Sequence, residues 1–181
     1  MGTSPGGVGR RTLLVGTLAA GLAGCSGYPR DPDDTLTRIL RERVVRIGVA
    51  PAEPWTLVGE AALDGADAVA DADGVPLAGI EVGLAAAFAE HLEVQPQWVV
   101  DGESGLVERV ELGQLDLLVA GLTSDTPWSK KIGVTRGYAQ ALDGHGKKKQ
   151  HVMGVPLGEN AFVSELERFL DSRPDSEKGG I

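Results

Sequence analysis

The fold is decided by residues 115–138, which read Leu-Asp-Leu-Leu-Val-Ala-Gly-Leu-Thr-Ser-Asp-Thr-Pro-Trp-Ser-Lys-Lys-Ile-Gly-Val-Thr-Arg-Gly-Tyr. The short apolar run 117–120 predicts a buried strand that ends at Gly121. A hydroxyl-rich turn, residues 123–126, follows and is closed by Pro127. In an open α/β sheet, ligands bind outside the carboxyl ends of the strands, which we call the carboxyl edge. We therefore expect this turn to offer oxygens and backbone N–H groups to a small polar ligand.

Helical and strand patterns alternate around this stretch. Three predicted helices and two predicted strands precede it, namely helix 35–43, strand 44–50, helix 79–92, strand 94–101 and helix 104–112. A further strand, 152–156, and an amphipathic helix, 160–170, follow it. This order predicts a three-layer α/β/α fold with an open, mainly parallel sheet and right-handed crossovers. Trp98 is predicted to lie in the core.

The stretch 115–138 resembles the corresponding segment of the bacterial extracellular solute-binding proteins of family 3, the amino-acid receptors of ABC importers. The likeness rests on Asp116, the strand 117–119, Ala120-Gly121, Thr123 and Tyr138. It implies one lobe of a type 2 periplasmic-binding-protein-like fold. It also implies a small polar or amino-acid-like solute and a transporter permease as partners.

One position departs from the family pattern. In amino-acid-binding members, an Arg five residues after the Thr holds the carboxylate of the ligand, and counting five from Thr123 gives Trp128. Together, the resemblance, the hydroxyl-rich turn and the tryptophans after the strand ends give these candidate ligand-binding residues: Trp55, Glu81, Gly121, Thr123, Ser124 and Trp128. Trp55 is either a cleft-lining aromatic or a Trp packed on its loop. Glu81 matches the acidic family position, and an acid in a first helical turn also suits the helix dipole.

The second lobe of the family is missing from this sequence. In the family it is inserted after the segment that matches Tyr138, whereas here residues 139–150 form a short connection before the next strand. Good pockets bury most of their ligand, so a homodimer or a protein partner is expected to cover the open face. Trp55 and Trp128 are predicted to form an exposed aromatic surface there. The alternative function is a non-transport cell-envelope interaction module that binds a protein on this open edge.

The amino terminus has the features of a secretory targeting signal. Arg10-Arg11 precede the apolar run 12–24, which is typical of a secretory signal and is too short to span a bilayer. The signal has features of both twin-arginine and general secretory export. Leu22-Ala23-Gly24-Cys25 resembles the lipobox of bacterial lipoproteins, which implies cleavage after residue 24 and lipidation of Cys25. The protein is thus expected outside the cytoplasm, anchored to the membrane, with residues 25–34 as a tether.

The remaining segments, the net charge and the cysteine count define the domain bounds and exclude several functions. Residues 35–172 are the predicted domain, with a flexible loop at 59–79 and a disordered tail at 173–181. The net charge of −9 argues against nucleic-acid binding. Cys25 is the only cysteine, so an intramolecular disulfide and a cysteine-based zinc site are excluded. We predict no cofactor, no metal site and no enzymatic activity, with Asp116 and Asp125 as turn or cap residues rather than paired catalytic carboxylates.

Overall fold

The computed structural model describes residues 1–3, 31–65 and 67–179. The predicted signal peptide, Cys25 and most of the tether lie outside the described residues. The helices of the described part are α1 (Thr35–Glu42), α2 (Ile80–His91), α3 (Glu103–Glu111) and α4 (Asn160–Ser172). Its strands are β1 (Val44–Val49), β2 (Leu57–Val58), β3 (Val69–Ala70), β4 (Pro76–Ala78), β5 (Gln95–Val100), β6 (Leu117–Val119), β7 (Gly133–Val134), β8 (Ala139–Leu142), β9 (Lys148–His151) and β10 (Gly154–Val155). None of the described helices combines the length and the apolar character that a bilayer crossing requires.

The central sheet has the strand order β5-β1-β6-β10-β7. Strand β1 runs parallel to both β5 and β6, so Ile47 lies beside Trp98 on one side and Leu117 on the other. Strand β10 pairs antiparallel with β6 and β7. The prediction of a mainly parallel α/β sheet is therefore confirmed.

Two apolar layers enclose the sheet. The larger cluster joins strand side chains such as Ile47 to Phe88 of α2 and Phe162 of α4. The smaller cluster is built on α3, with Leu106 facing the opposite side of the sheet. Here α3 approaches closely, because a Cβ added at Gly48 would lie only 3.0 Å from a Leu106 methyl group. Trp98 belongs to the larger cluster, so its predicted place in the core is confirmed.

The segment 59–79 contains secondary structure that the sequence analysis did not predict. Strands β3 and β4 lie in it, and β4 pairs antiparallel with both β2 and β3 in a small sheet. These strands have two or three residues each, which is too short for a periodic pattern to reveal. The flexibility of the segment stays a prediction, as does the disorder of the tail.

Residues 139–151 form a hairpin rather than an irregular connection. Strands β8 and β9 pair antiparallel, with Ala139 opposite His151 and Ala141 opposite Lys149. The turn between them is built on Asp143, whose carboxylate accepts hydrogen bonds of 2.9 Å from the N–H groups of His145 and Lys147. The sequence signal was weak because each strand has only four residues, and β9 is wholly polar. That this segment replaces a second lobe stays a prediction.

Asp116 lies in a bend directly before β6, as a turn residue would, and its side chain also forms a buried ion pair that the sequence did not predict. Its side chain is 1% exposed and pairs with the guanidinium groups of Arg38 and Arg46. It also accepts a 2.9 Å hydrogen bond from the backbone N–H of Arg46, which ties the start of β6 to β1. These side chains line an open cavity of about 520 Å³ at the amino ends of the strands, which we call the amino-edge cavity.

We expect Asp116→Asn to lower the free energy of unfolding by on the order of 3 kcal/mol, because it leaves two guanidinium groups without their buried counter-charge. Urea unfolding followed by circular dichroism measures this change. Asp171→Asn is the matched control, since Asp171 pairs with Arg136 at an exposed position where ion pairs contribute little. Equal stability of the two variants would contradict the structural role of Asp116.

Candidate functional site

The topology marks the carboxyl ends of β1 and β6 as the place where a fold of this kind has its ligand crevice. After β1 the chain passes through α2 to β5 on one side, whereas after β6 it continues to β7 on the other. In open α/β sheets, ligands bind at the point where the connections after two neighbouring strands run to opposite sides of the sheet. The segments that meet at this carboxyl edge are 50–55 and 121–126. A Cβ at Gly121 would lie 2.9 Å from the Cβ of Ala52, so the two segments are in close contact.

Trp55 is part of the core and does not form an open wall of the crevice. Its residue exposure is 7%, and its ring stacks on the imidazole of His151 with centroids 3.6 Å apart and planes inclined by 22°. Tyr138 meets the indole edge to face at 6.3 Å. The end of the hairpin therefore covers Trp55, and burial lowers the pKa of the covering His151 imidazole.

Trp128 lies on the other side of the sheet. It packs against the cluster built on α3, and its indole N–H donates a hydrogen bond to the carboxylate of Glu103. Since Trp55 belongs to the opposite cluster, the prediction that the two indoles form one exposed aromatic surface is wrong. The sequence placed both residues correctly after strand ends but did not show on which face each would pack. Contact of either residue with a ligand stays a prediction.

Glu81 is fully buried and holds the crevice together. Its carboxyl group accepts hydrogen bonds from the Tyr138 hydroxyl at 2.7 Å and from the Gly121 N–H at 2.9 Å. Its own N–H donates to the carbonyl of Trp55 at 2.9 Å. Burial outweighs these hydrogen bonds and raises the pKa of Glu81 to about 7. These contacts favour a structural role for Glu81 over direct contact with a ligand.

The backbone at position 121 requires a glycine. Its φ of 61° is a left-handed conformation that favours glycine. A Cβ there would also press on Ala52 and on the Trp55 indole at 3.4 Å. The glycine therefore contributes its backbone N–H to Glu81 and allows close approach. Its contact with a ligand stays a prediction.

Residues 123–125, the crevice loop, are joined to the hairpin. The Ser124 N–H donates to the Gln150 carbonyl at 2.9 Å, and the backbones of Thr123 and His151 pair as an isolated antiparallel β-bridge. The turn was expected to offer backbone N–H groups to a ligand, and the N–H of Ser124 is already used within the chain. The side chains of the loop face other groups: the Thr123 hydroxyl donates to Asp125 at 2.6 Å, and Asp125 pairs with the Lys149 ammonium. Lys149 and the Thr123 hydroxyl together lower the pKa of Asp125 to about 2.

Three site residues escaped the sequence analysis. Asp125 was predicted only as a turn or cap, while Lys149 and His151 were assigned no binding role. Lys149 and His151 reach the carboxyl edge only through the pairing of the hairpin with the crevice loop, which has no local signal in the sequence. Across the described ranges, no group of three or more His, Cys, Asp or Glu side chains is arranged to hold a metal ion.

Comparison with known proteins gives a family match and a shared fold. The family model of the bacterial extracellular solute-binding proteins, family 3, matches residues 64–178. The arginine-bound form of domain 1 from TmArgBP of T. maritima is 20% identical, with a TM-score of 0.59, 75% of this chain covered and 98% of that chain. No curated protein matches the chain.

Two further structures share the fold. One is an amino acid ABC transporter substrate-binding protein from Streptococcus pneumoniae bound to L-arginine, 8% identical, with a TM-score of 0.62 and coverage of 80% of this chain and 93% of that one. The other is an ancestral amino-acid-binding protein described as a precursor of cyclohexadienyl dehydratase. It is 13% identical, with a TM-score of 0.58 and coverage of 76% and 92%.

We expect the raised pKa of Glu81 to make the protein less stable as the pH rises from about 4.5 to 7. In that range the unfolded chain releases the proton of Glu81 while the folded chain keeps it, so folding takes up a proton. Glu81→Gln does not titrate. The unfolding free energy of the variant minus that of the parent should therefore increase by about 3 kcal/mol between pH 4 and pH 8.

Urea unfolding of both proteins across this pH range measures the difference and cancels the contributions of all other groups. A difference that does not change with pH would show that the Glu81 carboxyl is not buried in the way described.

Proposed function

Because the chain belongs to the bacterial extracellular solute-binding proteins of family 3, we propose that it is a lipid-anchored, extracytoplasmic solute-binding protein that serves an ABC-type importer. One observation carries this proposal. The family match includes the crevice loop. That loop lies where the connections after β1 and β6 leave toward opposite sides of the sheet, which is where folds of this kind bind ligands. The proposed solute is small and polar or amino-acid-like.

A single lobe is proposed to be enough for binding. The TmArgBP structure is described as the arginine-bound form of one domain, and the present chain covers 98% of that domain. In that protein, one domain therefore holds arginine. In the present chain the hairpin lies beside the crevice loop, so the solute would meet residues of both. A low affinity is expected, because one wall buries less of a ligand than two closing lobes.

The lipid anchor is proposed from the sequence around Cys25. The folded body supports a short tether, since Asp31 is already attached to it: the Asp31 N–H donates to the Gly158 carbonyl at 3.1 Å. The buried carboxylate of Glu159 accepts hydrogen bonds from the N–H groups of Asp33 and Thr35, at 2.9 and 2.7 Å. These contacts hold the start of the domain about six residues beyond Cys25. The permease would meet the protein at the membrane surface.

Binding rather than catalysis is the proposed activity, although an ancestral cyclohexadienyl dehydratase is among the proteins that share the fold. The crevice carboxyl with a raised pKa, Glu81, is hydrogen-bonded on both oxygens inside the core. Asp125 is held ionised by its neighbours. This arrangement favours a site that recognises charge over one that transfers a proton.

The second candidate function is a cell-envelope interaction module that binds a protein partner, or a second copy of the chain, on the carboxyl edge. The covering of Trp55 by His151 favours it, because a solute then finds no exposed aromatic ring on that side. The backbone N–H of Ser124 is likewise used inside the chain. In this alternative the hairpin itself would be the contact surface.

Thermal unfolding followed by tryptophan fluorescence distinguishes the solute-binding protein from the interaction module. The version beginning at Ser26 retains the whole folded body and is screened against amino acids, amines, sugars and organic acids at millimolar concentration. A solute at 100 times its dissociation constant stabilises the fold by roughly 2.7 kcal/mol, which should raise the melting temperature by about 5 °C or more.

The crevice loop supplies the matched variants for this screen. Thr123→Val should reduce the shift because it removes a hydroxyl at the loop, whereas Ser129→Ala, at an exposed position beyond the loop, should keep it. A cooperative transition that no solute displaces would overturn the receptor proposal and favour the interaction module.

A further inference from the structure

We infer that the chain forms a twofold-symmetric dimer through its carboxyl edge, in which the hairpin of each copy lies against residues 59–79 of the other. We call residues 59–79 the acidic segment. The pairing is independent of the proposed function, and only its consequence for the solute rests on that function.

The hairpin and the acidic segment are attached to the core at the same place. The acidic segment lies between Trp55 and Glu81 in the chain, and the Glu81 N–H donates to the Trp55 carbonyl at 2.9 Å. The hairpin follows Tyr138, whose hydroxyl donates to Glu81 at 2.7 Å, and it ends at His151, which stacks on Trp55. The two surfaces therefore leave the carboxyl edge side by side.

The two surfaces carry opposite charge. The acidic segment contains five carboxylates and no basic residue. The exposed members of this group are Glu60, Asp64, Asp67 and Asp73. In the hairpin, Lys149 pairs with Asp125 within the chain, whereas Lys147 and Lys148 are exposed. In a chain of net charge −9, the hairpin is thus a local basic surface beside a strongly acidic one.

Each surface also exposes a leucine. Leu63 of the acidic segment is 65% exposed, and Leu142 of the hairpin is 55% exposed. An apolar centre surrounded by charged and polar residues is the usual composition of a protein–protein interface. The leucines would supply the part of the contact that excludes water, and the charges would set its orientation.

Both surfaces have turns that are ordered within the chain. The Asp71 carboxylate accepts hydrogen bonds from the N–H groups of Asp73 and Val75, at 3.0 and 2.8 Å. Asp143 fixes the hairpin turn in the same manner. A surface that is already ordered loses less conformational freedom on association, so modest contacts are enough for a measurable dimer.

An acidic and a basic surface that lie side by side on one edge are complementary to a second copy of themselves. A twofold rotation about an axis between them places each hairpin against the acidic segment of the other copy, so the same contact is made twice. Opposite charges favour this orientation, whereas an orientation that sets one acidic segment on the other is repelled. The closed symmetry limits the assembly to two copies.

The dimer sets the two carboxyl edges face to face. A solute at the crevice loop of one copy then has the other copy on its open side, so more of its surface is buried than a single wall allows. On the proposed function, solute binding and dimerisation therefore strengthen each other, because a coupling between two binding events acts equally in both directions.

Sedimentation equilibrium of the full chain, in a detergent whose density matches that of the buffer, tests the inference without any solute. The average mass of the parent should rise from that of one chain to that of two as the concentration increases toward about 1 mM. Raising the sodium chloride concentration from about 0.05 to 0.5 M should weaken the association, because salt screens the charges.

Charge reversal tests the two surfaces separately. One variant carries Lys147→Glu and Lys148→Glu, which makes the hairpin acidic. The other makes the acidic segment slightly basic, through Asp64→Lys, Asp67→Lys and Asp73→Lys. Each variant alone should have a dissociation constant raised at least about 10-fold, since like charges then meet at both contacts. An equimolar mixture of the two should recover the association, because opposite charges meet at both contacts of the mixed dimer.

Arg41→Glu with Arg43→Glu is the matched control. These side chains are 70% and 64% exposed where α1 passes into β1, at the opposite edge of the sheet, and their reversal changes the net charge as much as that of the hairpin. This variant should dimerise as the parent does. Circular dichroism melts establish that each variant is folded.

Three results would overturn the inference: a parent that stays monomeric, folded hairpin or acidic-segment variants that associate as the parent does, or a mixture of the two that does not recover the association. Since no solute is present, each of these results would leave the proposed function standing.

Discussion

The buried carboxyl group of Glu81 is the contact on which the carboxyl edge depends. It lies in the first turn of α2 and joins the turn at Gly121 to the base of the hairpin at Tyr138, while the backbone N–H of the same residue holds the loop at Trp55. A carboxyl group placed in the core must have its hydrogen bonds made, and Gly121 and Tyr138 make them. The crevice therefore has a fixed inner wall that does not rely on a second lobe.

The hairpin continues this wall outward. Tyr138, at its start, is held by Glu81, and His151, at its end, is stacked on Trp55, so both ends are attached to the core. Strand β9 of the hairpin pairs with the crevice loop, because the Ser124 N–H donates a hydrogen bond to the Gln150 carbonyl. A tight turn on Asp143 connects its two strands. A one-lobed site can thus receive side chains from both the sheet and the hairpin.

The sequence predicted the main helices well: α2, a nearly continuous apolar run, spans Ile80–His91 where 79–92 was expected, and the amphipathic α4 begins at Asn160 as predicted. The site was predicted less completely. Gly121 and Glu81 were recognisable from local context, whereas the burial of Trp55 depends on His151, nearly a hundred residues away. Lys149 reaches Asp125 by the same long-range pairing. Composition and periodicity report on local geometry, so they do not carry such contacts.

The proposed binding of the solute at the crevice loop can be located by amide chemical-shift mapping with NMR. Titration with a solute should shift the amide signals of Ser124 and Asp125 and of Lys149 on the hairpin in a saturable way. Signals at the amino-edge cavity, such as that of Gly113, should remain in place. Saturable shifts centred on that cavity, with the crevice loop unaffected, would contradict the account.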